Sequence, residues 1–268
     1  MEPTATPPAA YSPSARRLLW RWVAALAVFG NVFVNYWANA RPFNGQTNAV
    51  VSGKYPTLLT PAGYAFSIWG LIFLGLLVYA VWQLLPAQRT AQLPDAVARP
   101  LTLACVATGG WLVVFAYELM PLSVLVMLLI LGALIVAFGR VRRRVRAGLA
   151  PRWVSIPFAL YLGWISVALV INATIGLREL GWQTAANGSV LLTFVLLAVV
   201  VGLGLAIGGV FRSVVFPLVI AWALVAIWVA QRGGTYPELA LAALVGAGVV
   251  ALGGLGLSLR PHRGRVAE

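Results

Sequence analysis

The 268-residue chain is poor in the side chains that do chemistry in water. It has one histidine, one cysteine, one lysine and one aspartate, and charged residues make up only 9% of it. His262 lies in a basic C-terminal tail, so no imidazole falls inside an apolar segment to ligate haem or a metal. Lys54 falls between two apolar segments, which excludes a retinal-type Schiff base buried in a helix. Cys105 stands alone in an apolar run, so no intrachain disulfide can form, and it reads as a small core hydrophobe. Asp95 lies outside the apolar runs and Glu118 at a helix end, leaving a carboxylate proton relay almost nothing to run on. Phosphate-binding glycine loops, nucleophile elbows and metal-ligand spacings are missing as well.

What remains is apolar: 61% of the residues are hydrophobic and the mean hydropathy is +0.91. At about 20 residues per crossing, that content suffices for about eight spans. The expected fold is all-α, a polytopic membrane helical bundle of about eight transmembrane helices. Apolar runs fall at 18–38, 62–85, 101–118, 121–139, 153–175, 189–208, 213–231 and 236–258, with prolines in the connections. Residues 1–17 read as a disordered cytoplasmic tail rich in Pro, Ala, Thr and Ser, and 260–268 as a basic cytoplasmic tail. The run before Ala38-Asn39-Ala40 is longer than a signal-peptide core and contains Asn31 and Asn35, so it reads as a span rather than a cleaved leader.

Charge is lopsided: 19 basic against 6 acidic residues give +13. In a soluble protein this would suggest nucleic acid, but there is too little polar surface for such a face, and no nucleic-acid partner is expected. Eight spans place fifteen of the basic residues on one side and only Arg41, Lys54, Arg178 and Arg232 on the other. The positive-inside rule then puts both termini in the cytoplasm, with anionic membrane lipids as neighbours. The dense run Arg140–Arg146 reads as a topology anchor. Small-residue faces at Gly204/Gly208 and Ala243/Ala247/Ala251 suit close helix packing, within one chain or in a homodimer.

Eleven tryptophans are many for this length, and some are not at span ends. Trp69, Trp111 and Trp164 lie within spans, each a turn from another aromatic: Phe66, Phe115 and Tyr161. Asn31, Asn35 and Asn39 recur on one face of the first span, and Asn172 lies in the fifth. Buried amides in lipid need partners, so they either bond between helices or orient a ligand's polar end.

These residues carry a resemblance. Tyr55-Pro-Thr-Leu58 followed by Pro61-Ala-Gly-Tyr-Ala-Phe66-Ser-Ile-Trp69 resembles the second-helix signature of the TspO/MBR family, the tryptophan-rich sensory proteins and the mitochondrial translocator protein. Trp111-Leu-Val-Val-Phe115 is similar to its third-helix motif, and Tyr161-Leu-Gly-Trp164-Ile-Ser-Val-Ala168-Leu-Val-Ile-Asn172 to its fifth. The family's second tryptophan is replaced here by Tyr64, an expected Asn by Thr108, and the proline before Tyr161 by Leu160. The resemblance implies a five-helix core over 18–176; the three additional helices read from the apolar runs over 177–259 have no counterpart in the classical five-helix members. It also implies an aromatic cleft lined by Tyr64, Phe66, Trp69, Trp111, Phe115, Tyr161, Trp164, Ala168 and Asn172, with Arg41 and Lys54 at its mouth. The implied activity is that of a receptor or sensor for a hydrophobic small molecule such as a porphyrin. No obligatory cofactor and no metal follow from it. Transport of a hydrophobic metabolite and light-dependent porphyrin modification are the alternative functions, the latter hampered by the shortage of acid–base side chains. A bacterial inner membrane is the implied location.

Overall fold

A computed structural model describes residues 14–55, 57–181 and 186–259. Of the disordered tail expected at 1–17, residues 1–13 lie outside the described residues, whereas Ala15, Arg16 and Arg17 form the first turn of α1. The basic tail expected at 260–268, with His262, and Trp182 also lie outside the described residues. The described residues form helices and connecting turns, without strands. In chain order the α-helices are α1 (Ala15–Ala40), α2 (Asn48–Lys54), α3 (Ile68–Trp82), α4 (Gln92–Ala116), α5 (Met120–Arg146), α6 (Ser155–Glu179), α7 (Ala186–Phe211), α8 (Val215–Gln231) and α9 (Pro237–Leu259). Seven segments are long and apolar enough to cross a membrane, and α8, at 17 residues, is a shorter apolar helix at the lower end of the spanning range.

Two boundaries differ from those expected. The third apolar run was expected to begin at 101, but α4 starts at Gln92 and carries Asp95 and Pro100 inside it. Pro94 occupies its first turn, where a missing N–H costs nothing, and the partly buried Asp95 is charge-paired, so neither stops the helix. The connection over 41–60 contains α2, which Thr47 initiates by accepting the Val50 N–H on its hydroxyl at 3.3 Å.

Helices α1, α4, α5, α6 and α3 pack in a closed ring in that order, each touching the next and α3 returning to α1. Helices α7, α8 and α9 pack on one another, and α8 docks them onto α6. Close approach follows from prolines set against glycines. A Cβ on Gly75 would lie 3.0 Å from Pro157, which brings α3 against α6, and one on Gly254 would lie 2.5 Å from Pro217, which brings α9 against α8. Gly204, Gly246 and Gly253 are likewise filled against by side chains of the same chain, whereas Gly248 and Gly256 face open space.

Polar anchors fix the ends. Arg21, 2% exposed, donates to Asp95 at 2.5 Å and to the carbonyls of Gln88 and Ala91 at 2.7 and 2.8 Å. It therefore ties α1 to the turn leading into α4. Arg142 donates to the carbonyls of Phe211 and Arg212, satisfying the C-terminus of α7. Gln83 donates to the Arg21 carbonyl at 3.2 Å. All these anchors lie on the arginine-rich face. The opposite face carries α2 and its flanking loops.

Candidate functional site

Aromatic residues on α4 and α6 and in the turn before α3 converge beneath α2. They enclose a small cavity of about 50 Å³. Phe66, Trp111, Phe115, Trp164, Ala168 and Asn172 line it, so six of the nine cleft residues expected from sequence come together. The remaining wall is Asn48 and Ser52 of α2, Pro61, Met127 of α5, and Ile171 and Ile175 of α6. Trp164, Ala168, Ile171, Asn172 and Ile175 recur at spacings of three and four, one face of α6.

Ring packing holds the wall in place. Trp111 stacks on Phe115 at 4.7 Å, and Phe66 meets Trp164 edge-on at 5.8 Å. Asn172 donates to the Ser123 hydroxyl at 2.9 Å, and that hydroxyl also lies 2.7 Å from the Met120 carbonyl, which joins α6 to α5. The Trp111 indole N–H is buried without a partner.

The other three expected residues stand outside this cavity. Trp69 stacks on Phe73 at 5.2 Å and meets Tyr161 edge-on at 5.8 Å, one layer behind Phe66. The Tyr161 hydroxyl bonds Thr108, which occupies the position where the family pattern has Asn. Tyr64 is 42% exposed and rests edge-on against Trp222 of α8. Asn35 and Asn39 donate back to the carbonyls of Asn31 and Asn35 within α1, and these asparagines lie away from the cavity wall.

The roof is fastened at two places. On one side, the Ala62 N–H donates to the Ala226 carbonyl at 2.9 Å, and the Trp222 indole N–H to the Ala65 carbonyl at 3.2 Å. Helix α8 thereby holds the turn that carries Phe66. On the other side, Glu118, in the turn between α4 and α5, gathers the long loop. Lys54 and Gln46 donate to its Oε1 at 2.7 and 2.9 Å, and the Tyr55 hydroxyl to its Oε2 at 2.6 Å. Asn44 adds a bond to the Ala116 carbonyl at 3.1 Å. Glu118 adopts φ +60°, unusual for a side chain with a Cβ, and in that conformation it reaches all three donors. Lys54, then Tyr55 and Gln46, hold the Glu118 carboxyl down at about 2. The hydrogen bond to that carboxylate, aided by desolvation, pushes the Tyr55 hydroxyl up to about 12.

Lys54 thus sits at the mouth but is already paired, while Arg41 lies over the Trp37 ring at 5.2 Å. A second hollow of about 280 Å³ adjoins the cavity at Ile175 and is lined also by Lys54, Tyr55, Arg178 and Glu179. Sequence reasoning missed Glu118 as the organiser of the loop. Its signal was present: it is the one acidic residue in the connection after the third span, on the same side as Lys54.

Fold and site together define an integral membrane protein with an aromatic intramembrane cavity roofed by a clamped loop. The profile of the TSPO-like protein family matches residues 21–256, and the chain belongs to that family. The match runs beyond residue 176, where the sequence motifs stop, and takes in α7 and α8 and nearly all of α9. Comparison with curated proteins and with solved structures returns no match.

Proposed function

We propose that the protein is a membrane receptor or sensor that binds a hydrophobic small molecule, a flat porphyrin-like ring foremost, in the cavity beneath α2. The observation that carries this reading is the unpartnered Trp111 indole N–H in a wall made mostly of aromatic and aliphatic side chains. A buried donor without a partner is costly, and an acceptor on a bound ligand would satisfy it. Stacked Trp111 and Phe115 offer the edges and faces on which conjugated rings pack. Membership of the TSPO-like family supports the same reading.

At about 50 Å³ the cavity is far below the roughly 300 Å³ of an ordinary small-molecule site, so binding requires α2 to move outward. The hollow lined by Lys54, Tyr55, Arg178 and Glu179 lies where that movement would begin. The charge asymmetry supports an orientation with the arginine-rich face cytoplasmic and the cavity opening on the opposite side; a bacterial inner membrane is the location proposed.

Titration of the protein in nanodiscs with protoporphyrin IX, followed by tryptophan quenching, tests the reading. Ala168→Phe fills the cavity without removing a fluorophore, and its Kd is expected to rise at least tenfold while Tyr64→Phe leaves it unchanged. Saturable quenching that survives Ala168→Phe, or none with the wild type, refutes the assignment.

A further inference from the structure

The arginine run on α5 is split by the helix into two faces. Arg142 and Arg146 turn to the end of α7, where both donate to backbone carbonyls. Arg140 and Arg144, one turn apart, point the other way and line a cavity of about 680 Å³ between α1, α4 and α5. Arg16 and Arg17 of α1 and Arg99 of α4 join them there. Five guanidinium groups thus share one cavity with a single carboxylate, Asp95, which the buried Arg21 already engages at 2.5 Å.

A topology signal needs positive charge on one side of the membrane but gives no reason for it to converge from three helices. The convergence is also ordered in advance. Arg99 lies over the Trp20 ring at 5.1 Å, and Arg140 spends one N–H on the Ala96 carbonyl at 2.7 Å, keeping its other donors. The Arg144 Nε is buried without a partner. Ser14, the N-cap of α1, and Gln92, the first residue of α4, are also in the wall, so two helix N-termini add partial positive charge.

We propose that this cavity is an anion site for a phosphate group carrying two or more negative charges or flanked by a second phosphate. The group comes either from an anionic phospholipid headgroup at this face or from a soluble phosphate. Arginine forks match phosphate oxygens in pairs, which a lysine point charge does not. The volume lies within the range of small-ligand sites. The site is distinct from the aromatic cavity, which lies toward the other end of the spans.

The full-length protein tests this with two probes. Inorganic pyrophosphate is titrated calorimetrically into protein in phosphatidylcholine nanodiscs. Retention of cardiolipin, whose headgroup carries two phosphates, over phosphatidylcholine is read by native mass spectrometry from detergent. The variant Arg99→Gln/Arg144→Gln is compared with Arg89→Gln/Arg143→Gln, which removes the same charge from exposed positions outside the cavity. The cavity pair is expected to weaken whichever probe binds at least tenfold, and the control pair less than twofold. Pyrophosphate binding identifies a soluble ligand; lipid retention alone identifies a headgroup. If the cavity pair does not fold, Arg16→Gln/Arg17→Gln at the exposed start of α1 serves the same comparison. Binding of neither probe, or equal weakening by both pairs, overturns the proposal.

Discussion

Replacing Glu118 by Gln tests how the cavity is closed. The substitution keeps shape and backbone strain but removes the charge that Lys54, Tyr55 and Gln46 share. Lys54 is 46% exposed, so its ion pair contributes only about 0.5 kcal/mol. Tyr55 and Gln46 are partly buried, and their bonds to a carboxylate are worth about 1 kcal/mol each. An amide at 118 retains one weak contact, so the loop loses about 2 kcal/mol of its hold, or about 30-fold in its opening equilibrium. The fully buried Val51 on α2 contributes about as much again by leaving water, so the loop loosens without detaching. Hydrogen exchange of the α2 amides, read by mass spectrometry in nanodiscs, should speed up about 30-fold while α4 and α6 are unchanged. A rise of less than threefold would show that Val51 and the Thr47 cap close the cavity and the carboxylate does not.

Three further outcomes follow from the same contacts. The Glu118 carboxyl is held at about 2 against an ordinary 4.5, so its clamp is complete above 4.5 and fades as pH falls toward 2. Tyr55, raised from 10 to about 12, keeps its contribution below 10 and loses it as pH rises through 12. After correction for intrinsic rates, α2 exchange should be flat between these limits and rise below pH 4.5. Arg21→Gln breaks the Arg21–Asp95 pair and the guanidinium bonds to the Gln88 and Ala91 carbonyls, and should cost about 3–5 kcal/mol, seen as a large fall in Tm. An apolar pair at both positions should recover most of that loss; a variant as unstable as Arg21→Gln contradicts it. Gly254→Val drives a side chain into the Pro217 ring and should cost about 1–3 kcal/mol, whereas Gly30→Ala, facing open space in mid-helix, should leave Tm unchanged or raise it. Equal Tm values for the two would show that α9 does not depend on that contact.

Spans were legible in the sequence because apolar length alone dictates a helix in lipid. The start of α4 was not, because Pro94 and Asp95 read as a polar, helix-breaking connection, and the pairing of Asp95 with Arg21, 74 positions earlier, is not visible in the local sequence. The cavity face of α6 was legible through Trp164, Ala168 and Asn172, whose spacing places them on one side of a helix. Trp69 shares the aromatic character of the wall, and pattern alone cannot separate a side chain that faces the cavity from one a layer behind. Helix α2 escaped notice because seven residues with Gly53 and two β-branched valines have little intrinsic helicity; the Thr47 cap and the burial of Val51 form it.

The two fastenings of the roof are unequal, and the inequality gives the cavity a direction. Backbone groups of Ala62 and Ala65 are pinned to α8 by two hydrogen bonds, so the turn that carries Phe66 is held to α8. The α2 side rests on a half-exposed ion pair, two rim hydrogen bonds and one buried valine. One wall therefore acts as a hinge post and the other as a flap. On the proposed function, an incoming molecule would swing α2 away from Glu118 while the aromatic wall keeps its shape, with the three C-terminal helices as the frame against which the flap opens.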